Sequence, residues 1–337
     1  MDLKGKTVTL AHGAGGKQTA ELIGQVFQAH FSNPYFTADD AATLPAPEGR
    51  IAMTTDGFIV SPRFFRGGNI GKLSICGTVN DLACMGAKPL YLTCAFVIEE
   101  GFPIDQLETI ASSMEVTAKE AGVNIVAGDT KVAGKGQVDG VFITTTGVGL
   151  IQDNVSTSGR FALPGDSVLV TGDIGRHGCC ILLERDEFGI EAEVSSDCAP
   201  LWDSVEAVLR EVPDVHVIRD ATRGGVGTVL YEIAQESGCG FLLEQESIPV
   251  DAAVRGVTGM LGLDPMYLAC EGTLVMIVPE EKTEHVLEIL RGREHSKKAA
   301  VIGKVTGSEK GRVVMQTAIG TQTYLPQPGN ELLPRIC

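Results

Sequence analysis

Five short segments set an aspartate among turn-forming or small residues: Asp39-Asp40-Ala41-Ala42, Thr55-Asp56-Gly57, Asn80-Asp81, Gly128-Asp129-Thr130-Lys131 and Asp220-Ala221-Thr222-Arg223-Gly224-Gly225. Carboxylate oxygens, with water and phosphate, are the donors that a hard cation such as Mg²⁺ takes. Asp56, Asp129 and Asp220 each follow a predicted strand, and loops at strand ends can gather acids around one ion. Any single one of these residues reads first as an ordinary turn aspartate. Five of them, spread through both halves of the chain, favour metal–phosphate binding.

Glycine lies close to these acids. The chain has 41 glycines, roughly 12% against a usual 7% or so. They cluster in His12-Gly13-Ala14-Gly15-Gly16-Lys17, in Gly67-Gly68-Asn69-Ile70-Gly71-Lys72 and in Arg223-Gly224-Gly225-Val226-Gly227. Glycine lets a backbone approach phosphate closely. Neither standard nucleotide motif is present, however. Gly16-Lys17 is followed by Gln18 rather than Ser or Thr, and Leu230 stands where the dinucleotide fingerprint needs its third glycine. Each loop alone reads as a turn or a helix cap. His12 either touches phosphate or caps its own glycine turn.

The remaining reactive candidate is a thiol. Nine cysteines occur, without a C-x-x-C pair or a zinc-like His/Cys spacing. Most sit in apolar runs and read as small buried hydrophobes. Cys337 differs because it is the last residue given, following Pro334, Arg335 and Ile336. A neighbouring carboxylate raises a thiol pKa and Arg335 compensates in part. It reads as a carried group more readily than as a free nucleophile, the plain alternative being a frayed end that happens to finish in Cys. Residues 317–337 hold three prolines and few apolar residues, which suits an extended tail able to span on the order of tens of ångströms.

The bulk properties limit the partners. A net charge of −16 is the wrong sign for a surface that tracks nucleic-acid or anionic-membrane phosphates. A nucleotide stays possible, because a cation can stand between carboxylates and phosphates. No apolar run approaches the roughly 18 residues that would span a bilayer, and the start of the chain does not read as a signal peptide. A cytoplasmic location is expected.

The elements that must position these residues alternate in period. Strands are predicted at 6–11, 50–54, 58–61, 90–98, 123–127 and 141–150, with helices over 17–30, 70–85 and 105–121. A Ser/Gly/Pro-rich stretch at 152–166 reads as a linker. Beyond it, strands are expected at 167–171, 215–218, 241–244, 273–278 and 313–316, and helices near 177–186, 199–210, 225–236 and 280–290. The pattern is α+β with antiparallel pairing in the first half. It divides into an N-terminal domain (1–152), a C-terminal α+β domain (153–316) and a flexible tail (317–337).

Together, HGAGG, TTDGF, GGNIGKLSICGTVNDLACMGAKP, GDTKV, DATRGGVG, CEGTL and LPRIC closely resemble the HypE family of [NiFe] hydrogenase maturation factors, the carbamoyl dehydratases. The resemblance runs from about residue 10 to Cys337. The wider superfamily includes aminoimidazole ribonucleotide synthetase, selenophosphate synthetase and thiamine monophosphate kinase. The resemblance implies a two-domain aminoimidazole-ribonucleotide-synthetase-like fold with mixed or antiparallel sheets, and ATP bound near a homodimer interface. It implies that Asp40, Asp56, Asp81, Asp129 and Asp220 serve ATP and Mg²⁺. Lys72, Asn80, Thr130, Gly13, Gly15 and Gly16 are expected as further nucleotide contacts, and Cys337, Lys131 and Glu271 as catalytic residues.

The activity so implied is an ATP-dependent dehydration on Cys337. A HypF-like partner would load a carbamoyl group, and the resulting thiocarboxamide would become a thiocyanate. The cyanide would pass to a HypC–HypD-like complex that assembles the hydrogenase iron unit. Two other readings compete with this one. In the first, the chain is a superfamily phosphotransferase such as a selenophosphate synthetase, but the HGAGGK loop lacks the reactive cysteine that enzyme carries. In the second, it is a non-catalytic adaptor with a docking tail, which would show no turnover.

Overall fold

A computed structural model describes residues 3–37, 39–327 and 336 of the chain. After an isolated bridge between Thr7 and Pro103 and a 3-10 turn at Leu10–Gly13, the chain enters α1 (Lys17–Leu22), a π turn (Ile23–Phe27) and α2 (Gln28–Phe31). The strand expected over 6–11 is therefore not formed beyond its one bridge. Next come β1 (Ile51–Phe58), the short pair β2 (Phe64–Phe65) and β3 (Gly68–Asn69), α3 (Ile70–Cys84), β4 (Ala87–Glu99), α4 (Ile104–Ala121), β5 (Asn124–Ala133) and β6 (Val141–Ile151). The strands β1, β6, β4 and β5 form a four-stranded sheet in that order. Its pairs are antiparallel except β4 with β5, which run parallel.

The second half carries β7 (Ser167–Val170), α5 (Arg176–Glu184), α6 (Trp202–Glu211), β8 (Val217–Asp220), α7 (Gly225–Ser237), β9 (Gly240–Glu244) and α8 (Ala252–Leu261). It ends with β10 (Leu274–Val278), α9 (Thr283–Arg291), β11 (Ala300–Thr306), β12 (Val313–Gln316) and β13 (Gln322–Tyr324). A seven-stranded sheet orders them β13-β12-β9-β11-β7-β10-β8. Three elements of this half, α8, β11 and β13, were not expected. The last corrects the tail: residues 322–324 pair with 314–316 rather than standing free. Tyr267 Oη also donates to the carbonyl of Pro326.

Helix α3 lies at the centre. Thirteen of its fifteen residues are buried, because it packs on β1, β6 and β4 on one side and meets α4, α6 and β8 around the rest. A helix apolar all round is buried all round. Its N-terminus is capped by Asn69, whose Oδ1 accepts from Gly71 N at 2.8 Å and Lys72 N at 3.1 Å. The seven-stranded sheet is covered on both faces. Val168, Val170, Val275 and Ile277 face the cluster around α7, while Leu169, Leu274 and Met276 join the core that contains α3. The four-stranded sheet is covered by α3 on one face only. On β1, Ile51 and Met53 are 56% and 70% exposed.

The close fit of α3 against α4 yields a test. A Cβ on Gly71 would fall far inside contact distance of the Ile110 carbonyl, and backbone cannot yield as a side chain does. Gly71→Ala should cost roughly 2–3 kcal/mol of stability. Gly16→Ala, which meets nothing within 4 Å, should leave the unfolding midpoint almost unchanged. Thermal unfolding of the two variants side by side measures both.

Candidate active site

The last turn of α3 and the ends of β1 and β8 bring three of the expected aspartates together. Asp56 and Thr54 lie on the face of β1 that α3 covers, in register with the buried Thr145 and with Gly147. Thr54 Oγ1 donates to Asp81 Oδ2 at 2.7 Å. Asp56 lies close enough to Asp81 for each carboxylate to oppose the other's ionisation, which favours one proton held between the two. Burial lifts the pKa of Asp81 to about 6, and the charge of Asp56 adds to it. Asp81 also sits near the helix C-terminus, where the carbonyl ends disfavour negative charge. Asp220, at the end of β8, is raised by its burial and by Asp81.

Glu271 joins this group from the segment before β10. It is 3% exposed, and its Oε1 has no hydrogen-bond partner among the described residues. Burial raises its pKa well above the usual carboxylate range, and Cys198, Asp197, Asp220 and Asp56 raise it further. Its burial thus favours the neutral form, which must lose a proton before it can serve as the expected base. Its backbone is firmly held. Asp197 accepts from Glu271 N at 3.2 Å and Gly272 N at 3.0 Å. Gly272 is required there, since a Cβ would overlap the Asp197 carbonyl.

Asn80, expected to touch nucleotide, spends its side chain on this frame. Its Nδ2 donates to Ala199 O at 3.0 Å and Glu271 O at 3.4 Å, and its Oδ1 accepts from Leu201 N at 2.8 Å. Lys72 donates to Gly67 O at 3.0 Å and contributes positive charge at Cys198. Cys337 lies outside the described residues. Its neighbour Ile336 is buried, with its carbonyl 2.6 Å from His177 Nε2.

The other expected residues lie elsewhere. Asp129, Thr130 and Lys131 are on β5, at the opposite edge of the four-stranded sheet from β1. That is a separation of three strand spacings, about 14 Å. Lys131 Nζ lies 2.8 Å from Asp129 Oδ1, and this bond holds the aspartate below its usual pKa. Beside them, Gly13, Gly15, Thr19, Phe27, Phe36 and β5 line a cavity of about 280 Å³. Gly16 caps the start of α1, and Asp40 is exposed on the chain leading to β1. His12 accepts from Thr9 N at 2.9 Å, so it caps its own turn.

No three His, Cys, Asp or Glu residues among those described stand close enough to form a metal cage. The donors nevertheless suit Mg²⁺ carried by phosphate, which takes one or two carboxylates and keeps its waters. Asp56 and Asp81 are the fitting pair. The sequence reading missed Thr54, His177, Ser196 and Asp197. Only the aperiodic stretch around Ser195-Ser196-Asp197 could have marked a loop that holds something.

Residues 38–151 match the model for the AIR synthase related protein N-terminal domain, and residues 164–316 match its C-terminal domain. A carbamoyl dehydratase HypE from Azotobacter vinelandii is 44% identical over 100% of this chain and 99% of its own. A crystal structure of HypE in complex with ATP superposes with a TM-score of 0.94 at 46% identity, covering 98% of this chain and all of that one. A chain of a HypE–HypF complex matches with a TM-score of 0.81 at 44% identity, over 93% of this chain and all of that one.

The shared proton makes a further prediction. Because Asp81 has a higher pKa folded than unfolded, the folded state binds its proton more tightly. Stability from this group is complete in acid and falls as pH rises through about 6. Asp81→Asn should therefore raise the unfolding free energy by about 1–2 kcal/mol near pH 8, and by far less near pH 4. Denaturant titrations at the two pH values give the difference, and an equal effect at both would count against the shared proton.

Proposed function

Since this chain belongs to the family of HypE carbamoyl dehydratases, we propose that it uses ATP to remove water from a carbamoyl group carried on Cys337. The product is a thiocyanate, and the role is in hydrogenase maturation. The observation that carries this reading is Glu271. A buried carboxyl with a free oxygen feels the charges of Asp197, Asp220 and Asp56, and its backbone is held by the loop that, through His177, meets the residue next to Cys337.

The chemistry needs two steps. Amide oxygen is a poor leaving group, so the carbonyl oxygen first attacks the terminal phosphorus of ATP. A P–O bond forms, ADP departs and one proton leaves nitrogen. The second N–H proton is then lost, the C–O bond breaks, phosphate leaves and C≡N forms. Such transfers are governed by positioning and charge neutralisation. Asp56 and Asp81 would hold Mg²⁺, with Asp220 beside them, and bound Mg²⁺ would neutralise phosphate charge. Glu271, whose burial raises its proton affinity, would serve as the base once ionised. Lys131 supplies positive charge for the phosphoryl group.

Lys131 and Asp129 stand a sheet's width from Asp56, so one copy of the chain does not assemble the whole set. A homodimer is the expected assembly: a second copy against the bare face of the four-stranded sheet would cover Ile51 and Met53, on the face that also carries Asp129 and Lys131. The partners follow from the family. A HypF-like protein loads the carbamoyl group, in keeping with the HypE–HypF complex, and a HypC–HypD-like complex takes up the cyanide.

Three measurements test this. Carbamoylated protein should lose the mass of one water from the peptide containing Cys337 only when ATP and Mg²⁺ are supplied. Cys337→Ala should bind Mg-ATP and carry no modification; label found on another cysteine would reject the reading. Asp56→Asn and Asp81→Asn should fold and accept the carbamoyl group, yet bind Mg-ATP at least about tenfold more weakly in calorimetry. Light scattering should give a mass near twice 35.6 kDa, and a monomer at micromolar concentration would contradict the dimer.

A further inference from the structure

His177 takes no part in the carboxyl cluster or the cavity beside β5, yet it is fully buried in the first turn of α5. Its Nε2 lies 2.6 Å from the carbonyl oxygen of Ile336. A carbonyl only accepts, so the proton sits on Nε2 and Nδ1 keeps its lone pair. Ser196 Oγ, 2.8 Å away, donates to that lone pair and itself accepts from Cys198 N at 3.0 Å. The Phe65 ring meets the imidazole edge-on, at 5.4 Å between centroids. Burial pushes the His177 pKa down to about 4, so the ring is neutral and its tautomer fixed near neutral pH.

Ser196 is part of the loop whose next residue, Asp197, holds the backbone of Glu271. The imidazole thus ties the residue preceding Cys337 to the loop that fixes Glu271. Ile336 completes the seat with its side chain, which is 8% exposed within the larger core.

We infer that His177 is a positioning residue that captures the backbone carbonyl of Ile336 and so sets where Cys337 is presented to Glu271. This deepens the reading of Cys337 as the carrier and rests on it. The seat recognises a carbonyl and an aliphatic side chain, neither of which changes when the thiol is carbamoylated or cyanated. It therefore accepts the tail in all three chemical states. One neutral hydrogen bond is worth about tenfold in occupancy, which leaves the tail free to depart for a partner protein.

The test compares His177→Leu, which removes the donor, with His177→Gln, which keeps an N–H near the Nε2 position. Two rates are read: alkylation of Cys337 by iodoacetamide, the eight other cysteines being buried, and single-turnover loss of water from carbamoylated protein at saturating Mg-ATP. The Leu variant should alkylate about tenfold faster and lose water about tenfold more slowly, with Mg-ATP affinity unchanged. The Gln variant should bring both rates back to within about threefold of wild type. Wild-type rates in the Leu variant, or a Gln variant as impaired as Leu, would overturn the assignment. Should the Leu variant fail to fold, Ile336→Ala empties the seat from the other side, and unchanged alkylation there would overturn it equally. If the wild type loses no water with ATP, the function falls, while the alkylation rates still decide whether His177 holds the tail.

Discussion

Helix α3 has almost no solvent face, so every polar group it carries must be satisfied inside the protein. Asn80 meets that demand completely, by stapling the helix to Ala199, Leu201 and Glu271. Asp81, the next residue, does not. It accepts from Thr54, while Asp56 opposes its ionisation and Asp220 adds acid nearby. Arg219 offsets this charge only as a minor contribution, and buried carboxyl groups so weakly compensated are an unfavourable arrangement on their own. On the proposed reading, a cation and its phosphate would make it favourable, and the stability given up would serve a site that receives positive charge.

The frame around this site is rigid for a physical reason. Two sheets press on the same central helix, one through β1, β6 and β4 and the other through β8, so the acids on β1, α3 and β8 have fixed separations. Reach is supplied instead from outside that frame. Asp129 and Lys131 are exposed on the far edge strand, and Cys337 arrives on a segment that returns to the core at Ile336. Burial fixes the acids, while Asp129 and Lys131 are left accessible.

Much of this was legible in the sequence. The helix over 70–85 and the strands at 90–98 and 141–150 announced themselves by periodicity, and the acid-plus-turn motifs marked Asp56, Asp81 and Asp220 before any fold was known. The register then explains why Asp56 faces α3 while Asp129 lies on the other face, a distinction of one residue in a strand. What stayed hidden had physical causes. Glycines at 256 and 259 obscure α8, Gly303 sits at the irregular pairing of β11 with β7, and β13 is made of exposed polar residues. His177 is an isolated imidazole in an apolar run, and Asp197 acts only through a contact 74 residues away. That Glu271 has an unpartnered oxygen is a property of the packed interior, invisible to spacing.

The central claim is that Asp56 and Asp81 share a proton until Mg-ATP displaces it. Calorimetric titration with Mg-ATP, repeated in buffers of differing ionisation enthalpy, counts the protons released beyond those of the nucleotide itself. The account predicts a release approaching one proton per site below about pH 6, where the pair is protonated, declining towards none near pH 8. Binding of Mg-ATP with no proton release at the lower pH would contradict it.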